Sequence, residues 1–329
     1  MQAVSRRIES DIDGARLRKR VLQPVGHVVD KATPGEIFKN VAGTQGELLY
    51  QSMPISRRTL LKAMVTAGAT AVTGGGAYSY VYARDALELT RATLPVTGLP
   101  EGLSGLRVGL ITDVHRSRWV TQTTIDRAVR LLMSERPDLI VLGGDYISFF
   151  DPEYIEPAAE ALAPLSAPFG VFGVLGNHDD DRDMPAALEA RGVEMLKDAR
   201  TRLSIRNESL ELAGIRFWTR RATDIANVVK DARGPVILLA HDPRRLVEAA
   251  ALNIPLVLSG HTHGGQIILP LLGAPAARQF PILSGRARHA TTTIFVSRGV
   301  GTVYLPLRVS CPPEVALLTL EATSLTGIV

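Results

Sequence analysis

From residue 104 onward, short β-rich apolar runs end repeatedly in polar clusters. Residues 107–112 (RVGLIT) lead to Asp113, and residues 138–142 (DLIVL) lead to Gly143-Gly144-Asp145. Residues 170–175 (GVFGVL) precede Gly176-Asn177-His178-Asp179, and residues 236–240 (VILLA) precede His241. Residues 256–258, with Ser259, lead to Gly260-His261-Thr262-His263. Runs of this length, bounded by Gly or Pro, read as buried strands. Between them lie helical patterns. Ile125, Ala128, Val129 and Leu132 form an apolar stripe that Pro137 closes, and residues 154–165 and 244–250 are two further helix candidates.

Strands alternating with helices predict an α/β fold. In open α/β sheets ligands bind beyond the carboxyl ends of the strands, so all five clusters can converge although they are far apart in sequence. Of the seven His, five sit in these clusters: His115, His178, His241, His261 and His263. Imidazoles grouped with Asp113, Asp145 and Asn177 make a nitrogen- and oxygen-rich donor set without thiolate, suited to Mn, Fe or Zn.

Asp113-Val114-His115, Gly144-Asp145, Gly176-Asn177-His178-Asp179, His241 and Gly260-His261-Thr262-His263 resemble, in order, the five motifs of the calcineurin-like metallophosphatases. The resemblance spans residues 104–320. Ser297 to Thr302, Arg308, Pro313-Glu314 and Gly264-Gly265-Gln266 resemble its branch of exported or membrane-associated bacterial phosphodiesterases. The resemblance implies a sandwich of two mixed β-sheets flanked by helices. It also implies two divalent first-row ions: one held by Asp113, His115 and His263, the other by Asn177, His241 and His261, with Asp145 bridging them. A hydroxide between the ions would attack phosphorus. By the same resemblance His178 is catalytic, protonating the leaving alkoxide or stabilising the transition state, and Asp179 orients its ring. The Tyr ligand of purple acid phosphatases falls at Ser148, which argues against a coloured iron–tyrosinate centre.

The implied activity is hydrolysis of a phosphodiester or pyrophosphate. A lipid-linked substrate such as a UDP-2,3-diacylglucosamine-like pyrophosphate competes with a soluble diester such as a cyclic nucleotide. A non-catalytic scaffold is the alternative to an enzyme, and the complete ligand set argues against it. Residues 267–272 (IILPLL) read either as a buried strand and turn or as a lip that meets lipid. Gly299 and Gly301 read either as ordinary turn glycines or as functional members of the 297–302 segment. Arg116 and Arg298 read as phosphate contacts or as solvated side chains, and His27 and His289 as surface residues.

The 329 residues carry a net charge of +4. Residues 1–62 hold 11 Lys/Arg against 6 Asp/Glu, and the remainder 26 against 27, so the basic excess lies in the leader. No nucleic-acid partner is therefore expected. Ser56-Arg57-Arg58-Thr59-Leu60-Leu61-Lys62 resembles a twin-arginine export signal, followed by a weakly hydrophobic stretch to Tyr80. Residues 53–83 are thus expected to engage the twin-arginine export machinery and to act as a signal or membrane anchor. That places the enzyme outside the cytoplasm with the membrane surface as a further contact. Residues 1–52 read as a disordered extension or a mis-set start, 84–103 as a linker, and 104–322 as the catalytic domain. The single Cys311 offers no internal disulfide.

Overall fold

The computed structural model describes residues 86–323, apart from 270 and 275–277, together with scattered helical positions between 58 and 78. Residues 1–52, His27 and most of the expected export signal, including Arg57, lie outside the described residues. Arg58 is helical and exposed. Among the described residues, no helix is long and apolar enough to cross a membrane.

Among the described residues, twelve strands form two six-stranded sheets. The first contains β1 (Glu88–Thr97), β2 (Arg107–Ile111), β3 (Leu139–Leu142), β4 (Val171–Gly173), β5 (Val193–Met195) and β12 (Glu314–Thr323), in the order β1-β12-β2-β3-β4-β5. The second contains β6 (Ala199–Ile205), β7 (Glu208–Ile215), β8 (Val236–Ala240), β9 (Leu256–Ser259), β10 (Gly285–His289) and β11 (Thr292–Val296), in the order β10-β11-β9-β8-β7-β6. Both sheets are mixed. β2 to β5 run parallel, and β12 is antiparallel to β2 but parallel to β1. In the second sheet β7, β8, β9 and β11 are parallel, with β6 and β10 antiparallel at the edges.

Strand alternation divides the apolar side chains among three cores. Val108, Leu110, Leu139 and Val141 face Leu212, Ile237, Leu239 and Leu258 between the sheets. Ile140 and Leu142 face outward against α1 (Gln122–Ser134), α2 (Ile155–Leu162) and α3 (Asp183–Glu189). Leu238 and Val257 face α4 (Ala222–Val229) and α5 (Leu246–Ala251) on the other side. Strands buried on both faces explain why the sequence runs are continuously apolar rather than alternating. α1 buries Ile125, Ala128, Val129 and Leu132, the stripe read from sequence.

The expected linker 84–103 is different in the structure. Glu88–Thr97 is a full strand, paired with β12 over ten residues, and it sends Leu94 and Val96 into the central core. Polar residues and Pro95 hid it in the sequence. Proline is tolerated because β1 is an edge strand with one neighbour. Residues 267–272 are no buried strand either: Leu269, Leu271 and Leu272 are exposed.

If β1 is integral to the core, Leu94→Ala leaves a cavity and destabilises the protein by about 2–5 kcal/mol in chemical denaturation. A linker residue would show no measurable change.

Candidate metal centre

The five motif segments meet at the carboxyl ends of β2, β3, β4, β8 and β9. Each strand stops one or more residues before its functional side chain because the backbone there turns out of the extended region. Asp113, His115, Asp145, His261 and His263 all have positive φ, between 50° and 72°. Left-handed backbone is costly for residues with a Cβ and concentrates at functional sites. Here the surrounding loops hold it in place. Asp113 N–H donates to Gly144 O at 2.9 Å, and His115 N–H to Asp145 O at 2.9 Å.

Two groups of donor atoms result. Asp113, His115 and His263 form one, Asp145, His241 and His261 the other. Asp145 Oδ2 lies 3.4 Å from His115 Nε2 and 3.2 Å from His241 Nε2, so one oxygen faces both groups. Its other oxygen is not free: Oδ1 accepts the His178 backbone N–H at 2.9 Å. Within the groups imidazole nitrogens confront one another, His115 Nε2 and His263 Nε2 at 3.1 Å, His261 Nδ1 and His241 Nε2 at 3.2 Å. His241 Nδ1 donates to Gly143 O at 2.7 Å, which turns the Nε2 lone pair towards the site. Asn177 Oδ1 is buried with no hydrogen-bond partner.

This donor set fits divalent cations. Imidazole nitrogens packed against one another, an orphaned amide oxygen and two buried carboxylates are each unfavourable alone, and a positive ion satisfies them together. The electrostatics agree. Burial disfavours the His241 imidazolium, but Asp145 and Asp113 outweigh it and raise the pKa to about 10. Burial, then the His241 charge, pushes His261 down to about 3. Neighbouring imidazoles thus compete for a single positive charge.

The calcineurin-like phosphoesterase family model matches residues 106–265. An uncharacterized metallophosphoesterase, YkuE of Bacillus subtilis, is 31% identical over 82% of this chain and 99% of its own length. The phosphodiesterase YaeI of Escherichia coli is 31% identical over 81% and 99%. A transmembrane protein with a metallophosphoesterase domain from Danio rerio is 30% identical over 80% of this chain and 63% of its own. The chain belongs to the calcineurin-like phosphoesterase family. It is a metal-dependent phosphoester hydrolase.

In this phosphoesterase His178 stands beside the first group, its ring 5.0 Å from that of His115. The Phe149 N–H donates to His178 Nδ1 at 3.0 Å. That bond requires Nδ1 unprotonated, so the neutral ring carries its hydrogen on Nε2. Burial pushes the His178 pKa down to about 4, in keeping with a neutral ring.

Asp179 does not orient His178, contrary to the sequence reading. Its carboxylate points the other way and accepts the backbone N–H groups of Asp145, Tyr146, Ile147 and Gly176 at 2.7 to 3.3 Å. Burial and the Asp145 charge raise its pKa to about 7, against the pull of these donors. Asp179 is therefore a clamp that joins the loop after β3 to the loop after β4. Ring orientation falls to the Phe149 N–H, a backbone group that carries no sequence signature.

Other supports surround the centre. Ser148 Oγ lies 3.2 Å from His115 Nδ1, so the residue at the Tyr position of purple acid phosphatases holds a candidate ligand from outside. Arg308 is fully buried. It donates to the carbonyls of His263, Arg298, Gly299, Gly301 and Cys311. Arg116 and Arg298 are both committed structurally: Arg116 donates to Ser117 O and Val120 O, and Arg298 pairs with Glu314 and Glu88. Gly299 is more than a turn residue, since a Cβ there would meet Asp113 Cβ at 2.5 Å. His289 is exposed, as read from sequence.

Gly176 gives a direct test of the crowding. A Cβ there would lie 2.0 Å from Asp145 Oδ1 and 2.5 Å from Asp145 N. Gly176→Ala must therefore displace the Asp145 carboxylate. Elemental analysis is expected to show loss of bound metal in a protein whose circular dichroism is unchanged, with activity down at least about 100-fold.

Proposed function

We propose that this hydrolase is a dinuclear phosphodiesterase or pyrophosphatase of the cell envelope. The observation that carries the dinuclear reading is the single Asp145 oxygen facing both donor groups, at 3.4 and 3.2 Å. Asp113, His115 and His263 would hold one ion, Asn177, His241 and His261 the other, with Asp145 shared. When bound, two such cations neutralise phosphoryl oxygens and make water acidic enough to attack at neutral pH.

The chain's own residues do the rest. A water oxygen bonds to phosphorus, and the ester P–O bond breaks with its electron pair on the leaving oxygen. That oxygen gains the proton the water gives up, yielding a phosphomonoester and an alcohol from a diester. His178, held neutral by the Phe149 N–H, presents Nε2–H as a hydrogen-bond donor to the charge developing on the leaving oxygen. A neutral imidazole gives up that proton only at great cost. Of the two roles implied by family resemblance, transition-state stabilisation therefore fits better than full protonation.

Envelope location rests on the Arg57-Arg58 signal pattern and on a relative named as a transmembrane protein. The substrate reading includes both a lipid-linked pyrophosphate and a soluble diester such as a cyclic nucleotide.

The catalytic test combines two variants on aryl and alkyl phosphodiesters. Asp145→Asn removes the shared negative charge between the ions, so bound metal and turnover are expected to fall together, turnover by at least about 1000-fold. His178→Ala keeps metal but loses turnover, more for alkoxide than for nitrophenolate leaving groups. Undiminished activity in Asp145→Asn or in chelator-stripped protein would falsify the mechanism.

Localisation is tested separately. Replacing Arg57 and Arg58 by Lys is expected to strand active enzyme in the cytoplasmic fraction, and unchanged fractionation of that variant would rule out the signal.

A further inference from the structure

Beside His178 opens a cleft of about 570 Å³, within the range of small-molecule sites. Its walls come from three loops: residues 117–119 after β2, 148–154 after β3, and 302–305 before β12. Trp119, Phe149, Phe150 and Tyr304 line it with rings, and all four are exposed, Tyr304 by 76%. Hydroxyls of Ser117 and Thr302 lie among them. Large exposed apolar side chains gathered at one place mark a binding surface.

Three of these rings stand on left-handed backbone, with φ of 56° at Phe149, 59° at Phe150 and 61° at Tyr304. For bulky residues that conformation is rare. The hydrogen bonds show what enforces it. Phe149 N–H donates to His178 Nδ1, and Phe150 N–H donates to His178 O at 3.0 Å. His178 thus holds the backbone of both phenylalanines, through its side chain and its carbonyl. The rings of Phe149 and Tyr304 stand edge-on to the His178 ring at 4.9 and 6.3 Å and to each other at 5.4 Å.

We propose that this cleft is the leaving-group subsite and that it selects a flat aromatic group, such as a nucleobase or an aryl ring, carried on the leaving alcohol. The inference rests on the diesterase reading for the identity of the leaving arm. The side is set by His178: it serves the leaving oxygen, and its ring is flanked by the Phe149 ring at 4.9 Å and the Tyr304 ring at 6.3 Å, so a group on that oxygen would lie against the cleft those rings line. The class is set by the walls. Ring faces interleaved with hydroxyls suit a planar π-system bearing polar edges, because aromatic stacking tolerates any base. An alkyl chain would make no use of the polar groups set among these rings. The second aromatic pair, Phe217 and Trp218, lies on the opposite flank, with Phe217 5.2 Å from the His261 ring.

The test uses the full-length protein supplied with Mn²⁺ and two readouts. The first is the ratio of kcat/KM for methyl p-nitrophenyl phosphate over methyl 2,2,2-trifluoroethyl phosphate, with methyl decyl phosphate as a lipid-like comparison. Phe150→Ala with Tyr304→Ala is expected to lower the aryl-to-trifluoroethyl ratio about tenfold through KM, and Tyr304→Phe to preserve it. The second readout needs no catalysis. The chain has two Trp, so in a Trp218→Phe background all indole emission comes from Trp119. Adenosine is expected to quench it saturably, and not in the double-alanine variant. Should the double variant fail to fold, Tyr304→Ala alone serves, since that side chain is largely in solvent. An unchanged ratio, absent quenching, or sensitivity confined to the decyl diester overturns the subsite. Quenching without hydrolysis of any diester by the wild type sinks the diesterase reading and the leaving-group assignment with it, and leaves only a cleft that binds aromatic groups.

Discussion

Everything at the centre of this molecule follows from burying one carboxylate oxygen, Asp145 Oδ2, between two sets of imidazoles. Two carboxylates and four imidazoles in a dry pocket repel, compete for protons and leave donors unsatisfied. Such a constellation is stable only when something positive occupies it, or when the surrounding scaffold holds it regardless. The chain does the second so that the first can occur. The inter-sheet core anchors the strands, left-handed residues turn the side chains inward, and secondary hydrogen bonds fix the ring orientations. Metal affinity in such a site is a matter of preorganisation, because the unfavourable contacts are imposed before the ion arrives.

The same logic links the loops to one another. The Asp179 carboxylate gathers four backbone N–H groups from two loops, so the segment bearing Asp145 and the segment bearing Asn177 and His178 move as one body. The segment bearing Phe149 and Phe150 continues from it and returns to His178. Chemistry and leaving-group recognition are therefore mechanically joined. A change that loosens the aromatic loop also frees the His178 ring, so substrate preference and rate are expected to vary together rather than independently.

How much of this was legible depended on what each residue had to do. Buried parallel strands must be apolar on both faces, so β2, β3, β8 and β9 stood out as short unbroken runs. Asp113, His115, Asp145, Asn177, His241, His261 and His263 stood out because imidazole and carboxylate after such a run have few structural uses. The two-sheet mixed architecture followed from the family resemblance and is what the structure shows. β1 was hidden because an edge strand needs only one apolar face and tolerates Pro95. The role that the resemblance implied for Asp179 is not the one the structure shows, because its carboxylate is taken up by four backbone N–H groups. The Phe149 N–H and Gly143 O, which orient two imidazoles, belong to the backbone and have no letter in the sequence. Phe149-Phe150, beginning four residues after Asp145, was one available sign of the aromatic cleft.

Arg308 ends the story at a different point, the order in which the chain is made. Its guanidinium holds the carbonyl of His263 and those of the loop at 298–301, and it is anchored beside Cys311 just before β12. β12 itself lies between β1 and β2, so the first strand of the domain has no partner until the last one exists. Domains generally fold as units. Here the earliest segment must wait for the latest, and the His263 loop is locked only after Arg308 has left the ribosome. A chain truncated before β12 would keep every donor residue and Arg308, but β1 would have no partner and β2 would lose its neighbour on that side.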